Sequence, residues 1–470
     1  MRLLVVFLVL FLAGCENSVP QPVDKTRELV ILTRVGITTY TRDAPGEVSG
    51  FEHDLAQRFA TDIGLRSRFV VAGSDMDVKE RLERGEGHLA IAWSAPENEL
   101  GTHHSQAYAQ SRDVIVTHEA SLPITQLKQL AGRTVHVVAG SRQETALRAA
   151  GKRVHRLTVV PVEHATELEL MAGVAEQRYE IALVSEAAYD IGSNFHPELQ
   201  DSLQLGPDHP IVWTYAKEIP PDFIARGDDF LRRMEASGEL DRLKDRYFGH
   251  VNRLTTDDTA IFIERMRSTL PLYRPMFQEA QIRTGIDWRL LAALAYQESR
   301  WDPLATSATG VRGMMMLTAE TADHLRVGNR LNAAQSVRAG AQYLVELRDA
   351  LPASAREPDR TWLALAAYNL GMGHLNGARH LARTLGKNPD AWYEMKQVLP
   401  LLAKPQYYRR LKSGKGRGGE AVIMTENIRV FADILKRFEP PYEPMKRKSE
   451  KFIWKSFQAP PDRDEAPEAP

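Results

Sequence analysis

Up to about Gly249 the sequence alternates short β-rich runs with helical stretches, and from about Thr255 the β-rich runs stop. That change of pattern confines the chain to an α/β unit followed by an all-helical one. The first unit opens with "ELVILTRVG". Phe51, Leu55, Phe59 and Ile63 then recur at helical spacing, with Gly64 placed to end the helix at positive φ. "SRFVVAG" and "LAIAW" read as further strands around the helix "DVKERLERGEG", which argues for βαβ units and a mainly parallel sheet. The pattern restarts at "LKQLAGRTVHVVAGSRQETALRAAG", so two lobes are expected. "DDFLRRMEASGELDRLKDRYFG" closes them.

The rest of the composition excludes more than it selects. With 60 Lys and Arg against 61 Asp and Glu, the formal net charge is -1. No global charge steers the chain to nucleic acid, and none is expected as a partner. The N-terminus is different. Arg2 precedes "LLVVFLVLFLAG", too short to span a bilayer but suited to a signal peptide. Cys15 follows and is the chain's 1 cysteine, so no intramolecular disulfide can form. "LAGC" resembles the lipobox of bacterial lipoproteins. That resemblance implies lipidation of Cys15, and Glu16 beside it implies the outer membrane. The expected organisation is a signal peptide over 1–14 and a lipidated tether over 15–26. An α/β unit over 27–252, a helical unit over 253–445 and a flexible, Pro- and acid-rich tail over 446–470 follow.

In the helical unit one carboxylate stands out. Asp287 is placed to cap a helix from Trp288, along which Leu291, Leu294, Ala295 and Glu298 fall at i, i+3, i+4 and i+7. Glu298 thus takes the last slot of a buried stripe, where a charge is expensive unless paired. Such a group responds with a raised pKa and can serve as a general acid near neutral pH. The competing reading is a structural glutamate paired with Arg300 or Arg312. Asp302, in "WDPLA", reads as a turn residue, and Glu320, in "TAET", as a helix-start carboxylate. No second catalytic carboxylate is evident. Asn332 is placed to cap a long amphipathic helix, "AAQSVRAGAQYLVELRDAL". "YYRRLKSGKGRGGEA" reads as aromatics followed by a mobile surface loop.

Two resemblances give these patterns a context. "GFEHDLA", "LERGEGHLAIA", "SQAY", "LAGRTVHVVAGS" and "SGELDRLKDRYFG" resemble the family 3 periplasmic solute-binding domains of polar amino-acid transport. The arginine that such domains use for an amino-acid carboxylate is missing from "WSAPENELGTHHS". That departure implies a different ligand, such as a muropeptide, or a structural role. Gly140-Ser141 stands at a helix start as either an anion site or a plain cap. His103, His104, His136 and His164 have no metal-binding spacing.

In the second half, "ES" at Glu298-Ser299, "GVRGMMM" at 310–316 and "AYN" at 367–369 resemble the soluble-lytic-transglycosylase, goose-lysozyme-like family. The whole chain is similar to membrane-bound lytic murein transglycosylases. The resemblance implies cleavage of peptidoglycan glycan strands without a cofactor. Glu298 would protonate the oxygen joining N-acetylmuramic acid to N-acetylglucosamine and then take the proton of the muramoyl 6-hydroxyl. Among the substrate-binding candidates, Ser299 is placed to orient the carboxyl or a sugar substituent, Tyr368 and Asn369 to hydrogen-bond the catalytic centre, and Tyr407 or Tyr408 to stack on a sugar ring. Met316 replaces the glutamine of the family's "GLMQ" element. A hydrolytic muramidase and a non-catalytic envelope sensor are the alternatives. The helical unit is expected to fold and cleave alone, and the first unit to bind a wall fragment.

Overall fold

The computed structural model describes residues 27–44, 47–94 and 103–443. Cys15 with its lipobox, the expected tether and the tail lie outside the described residues, as do residues 95–102 of the arginine-free stretch.

The α/β unit has the two expected lobes, each built on its own sheet. In the first, Glu28–Arg34 lies between Arg66–Ala72 and Leu89–Ser94 and is parallel to both. Leu29 to Leu32 are buried, because helices cover both faces of that strand. In the second, Thr134–Val138 lies between Thr158–Val162 and Ile181–Ser185, again parallel to both.

The sheets depart from the expected mainly parallel form on their far sides. His209–Tyr215 runs antiparallel to Leu89–Ser94, His103–His104 and Ala109–Ser111. Asp113–His118 runs antiparallel to Ile181–Ser185 and Leu199–Gln204. The cause is the path of the chain, which leaves the first lobe before Asp113 and returns to it at His209. Each sheet therefore receives a strand without a right-handed crossover helix. Pro221–Ala236 and Glu239–Phe248 then complete the core of the first lobe with Phe223, Phe230, Leu240 and Leu243. Gly64 takes φ 74 after the helix Phe51–Asp62, as its position requires.

From Thr255, whose side chain caps Thr256–Ser268, the named elements are all helices. Trp288–Ser299 runs through the middle of this unit against the long helix Gly418–Phe438. The expected mobile loop within 407–421 is instead anchored. Gly416 and Gly418 are buried, and a Cβ at Gly418 would stand 2.0 Å from the carbonyl oxygen of Leu399. Only glycine lets the two backbones approach so closely.

The two units meet along a buried polar seam. Arg429 donates to the carbonyls of Asp245 at 2.9 Å and Arg246 at 2.8 Å, near the end of Glu239–Phe248. It also pairs with Glu426 at 2.9 Å, and Lys396 pairs with Asp245. Arg242 donates to Glu394 at 2.7 Å, and His250 lies 2.6 Å from Asp433. Beside these, Phe195 of the second lobe joins the helical core.

Candidate active site

The helix that carries Glu298 is built as its sequence demands. The Asp287 carboxylate accepts from the Arg289 N–H at 2.8 Å, and Leu291, Leu294 and Ala295 are fully buried. Glu298 follows one turn on, half-buried. The helix stops there because Arg300 and Trp301 both adopt left-handed backbone, with φ 53 and 61. Two consecutive non-glycine residues in that region are strained, and packing holds them. Trp301 is buried, donates to the Ala292 carbonyl at 2.8 Å, and packs against Phe262 and Tyr296.

Arg300 turns the other way and reaches the Tyr296 hydroxyl at 3.0 Å. Arg312 is exposed. Among the described residues no side chain pairs with Glu298, so the structural ion pair considered from sequence does not form. Burial alone pushes its pKa up to about 8. No neighbouring carboxylate contributes to that shift. Asp302 is spent on a turn, accepting from the Leu304 N–H at 2.8 Å.

Facing the end of this helix is the loop over 310–317. Gly313 has φ 82, and a Cβ there would stand 1.8 Å from the Arg330 carbonyl oxygen. The Met315 N–H donates to Ser336 at 3.1 Å, which ties the loop to the helix Ala333–Asp349. That helix is capped by Asn332, as expected. Two consecutive loop carbonyls are then taken by hydroxyls. Ser299 donates to Met314 at 2.8 Å and Tyr368 donates to Met315 at 2.8 Å. The three short motifs singled out from sequence thus converge on adjacent peptide groups. Burial and the nearby Glu298 carboxyl raise the Tyr368 phenol well above its ordinary range.

A groove of about 410 Å³ opens beside Tyr368, lined also by Met316, Asn369, Glu320, His324 and Tyr343. Met316 holds φ 47. Tyr343 lies with its ring 5.3 Å from that of Tyr368. Tyr407 is absent from this wall; it sits on the short helix Pro405–Tyr408, packed against the helical core. Sequence reasoning missed Tyr343, whose one signal is an aromatic at the edge of an otherwise aliphatic buried stripe. It also missed Ser336, which looks like any polar residue in a first helical turn.

Comparison with known proteins places this geometry. Residues 275–390 match the Transglycosylase SLT domain, and residues 33–250 match the bacterial extracellular solute-binding proteins, family 3. Membrane-bound lytic murein transglycosylase F of Nitrosospira multiformis is 38% identical over 95% of this chain and 94% of its own length. The proteins of that name from Methylobacillus flagellatus and Thiobacillus denitrificans are 38% and 39% identical, covering 95% and 93% of this chain and 96% and 93% of theirs. The chain belongs to the membrane-bound lytic murein transglycosylase F family.

The α/β half of the chain has polar chemistry where its lobes meet. Arg142 lies 3.3 Å from Asp113 and also contacts His209, on the strand that returns to the first lobe. Asp113 is fully buried, and its carboxylate faces Arg142. Burial, with Glu167 nearby, pushes its pKa up to about 6 against the pull of Arg142. Gly140-Ser141 is a cap. Ser141 accepts from the Glu144 N–H at 3.1 Å, and Gly140 donates to the Glu144 carboxylate at 2.7 Å, filling the place an anion would take.

Proposed function

We propose that this chain cleaves the β-1,4 bond between N-acetylmuramic acid and N-acetylglucosamine in peptidoglycan without water, with Glu298 as its one acid and base. The observation that carries the reading is Glu298 itself. It is desolvated, unpaired among the described residues, and raised to about 8 with no second carboxylate contributing. A protonated Glu298 gives its proton to the bridging oxygen as the bond to the muramoyl anomeric carbon breaks. The resulting carboxylate then takes the proton of the muramoyl 6-hydroxyl, whose oxygen bonds to that carbon. The products are a free N-acetylglucosamine hydroxyl and a 1,6-anhydromuramoyl end, and Glu298 regains its proton. An internal nucleophile has a high effective concentration, so one carboxyl suffices. Tyr368 and Ser299 support this by holding the loop that faces Glu298, while Met316 and Asn369 line the way in for the strand.

Purified cell-wall sacculi provide the test. Wild-type protein should release fragments lighter by one water than hydrolysis products, and Glu298→Gln should lose several orders of magnitude of activity while staying folded. Products carrying the extra water would establish a hydrolytic muramidase instead. Near-normal activity of the variant would remove Glu298 from its role.

The remaining roles follow from position and chemistry. Lipidated Cys15 anchors the chain to the outer membrane. No helix among the described residues is long and apolar enough to cross a membrane. Cys15→Ser should then be extractable without detergent, and its retention in the membrane fraction would rule out the lipid anchor. The solute-binding half takes a muropeptide between its lobes, in reach of Arg142. Calorimetry with purified muropeptides, paired with cleavage rates of the full chain, checks this. If no muropeptide binds and none changes the rate, the domain is a spacer or a protein-docking surface.

A further inference from the structure

The loop that faces Glu298 is wrapped around a single residue, Arg330. The Arg330 carbonyl fills the hollow of the loop, so close to Gly313 that a Cβ there would stand 1.8 Å from it. The Arg330 side chain closes the two ends. One nitrogen, Nη1, donates to the carbonyls of Gly310 at 3.0 Å and Leu317 at 2.9 Å. Bonds assisted by charge in this way are stronger than neutral ones. Among the described residues no carboxylate pairs with Arg330, so its charge is spent on the loop.

Between those ends lie the two carbonyls taken by the neighbours of Glu298. Ser299, next to it in the chain, donates to Met314, and Tyr368, whose phenol feels the Glu298 carboxyl, donates to Met315. The peptide groups that Arg330 holds are therefore those packed beside the acid. Few charges face Glu298. On its own helix Arg300 is turned to Tyr296, and on the loop Arg312 is exposed. The helix Asp359–Leu370 brings the Tyr368 phenol, with Tyr343 of Ala333–Asp349 behind it. The exclusion of water is the one influence on the Glu298 proton.

We propose that Arg330 is a positioning residue of the cleavage reaction, which holds the 310–317 loop against Glu298 and so keeps water from the acid. The proposal rests on the reading of Glu298 as that acid. With the tie gone, water reaches the carboxyl and its ionised form becomes cheaper, so the proton is given up at lower pH. Cleavage, which needs that proton, then fails at lower pH as well.

The pH dependence of kcat/KM for the full-length protein on soluble glycan strands tests this. The alkaline limb of the wild type reports loss of the Glu298 proton. Arg330→Gln, too short to reach either carbonyl, should move the midpoint of that limb down by about one pH unit. Arg330→Lys should recover part of the displacement, since both bonds come from one nitrogen and an ammonium group can supply them. Ser336→Ala cuts the Met315 tie from a different helix and should move the limb in the same direction. It carries the test if Arg330→Gln does not fold. A limb that stays at the wild-type pH in the folded variants, with activity lowered by one factor throughout, would make Arg330 merely structural and overturn the proposal. So would an Arg330→Lys limb no nearer the wild type than that of Arg330→Gln. Either result, with Glu298→Gln inactive, leaves the acid in its role. Near-normal activity of Glu298→Gln would sink that reading and this one together.

Discussion

The Tyr368 hydroxyl stands 2.8 Å from the Met315 carbonyl oxygen, across 53 positions of sequence. That bond ties the end of the helix Asp359–Leu370 to the loop facing Glu298. Tyr368→Phe keeps the ring and deletes the tie. It should cost about 1 kcal/mol of stability, the net value of such a bond. Cleavage should fall more than stability does, since a loop displaced by about 1 Å is felt at the reacting atoms. Unfolding curves and steady-state rates on the same preparation check both halves. Unchanged kinetics would show that the loop is held without Tyr368.

Glu298 predicts a pH dependence of stability with a definite sign. Its folded pKa of about 8 lies above the ordinary 4.5, because burial disfavours the charged form. The stability that its neutral form contributes is therefore fully present below about 4.5 and is lost as pH rises through 8. Glu298→Gln cannot ionise. Relative to wild type it should gain on the order of 2 kcal/mol between about pH 5 and about pH 9, allowing for water at a half-buried site. Thermal midpoints of the two proteins across that range would tell. Parallel curves would mean that Glu298 titrates as an ordinary carboxyl.

Gly313→Ala should be severely destabilising. A methyl group there would stand 1.8 Å from the Arg330 carbonyl, at a backbone φ of 82. Neither the peptide group nor the conformation can yield without moving the loop, so a loss of about 3 kcal/mol or more is expected. Denaturant unfolding followed by a probe in the helical unit measures it.

Arg429 is buried among acidic partners from both units. Arg429→Ala would leave Glu426 with Lys396 alone, at 3.9 Å, as its cation and the end of Glu239–Phe248 without its donor. The expected cost is about 3–5 kcal/mol. Limited proteolysis between Gly249 and Thr256 should accelerate in the variant. Cleavage at the wild-type rate would mean that the seam is held by Lys396 and Arg242 instead.

How far the molecule could be read from its residues depends on the range of the forces involved. The Glu298 helix was legible because its cap and stripe, Asp287 to Glu298, lie within 12 consecutive positions. Its stop at left-handed Arg300 and Trp301 was not. Ser141, Asn332 and Gly64 were legible too, since their roles are settled by near neighbours. The antiparallel strand His209–Tyr215 was not, since its partners lie a whole lobe away and its composition is the same in either direction. The braces from Ser299 and Tyr368 end on backbone carbonyls, which every residue has, so no side-chain pattern announces them. Gly416 and Gly418 misled for a related reason. A glycine kept for close packing looks the same in sequence as one kept for flexibility.

The seam around Asp245, Lys396 and Arg429 bears on how such a chain can be inherited. A solute-binding half taken from another relative would have to bring a carboxylate at the position of Asp245. It would also need a helix end with free carbonyls for Arg429, or Lys396 and Arg429 would lose their partners. The two halves are therefore matched parts. Substitutions in the first are most constrained along the helix that Arg429 holds.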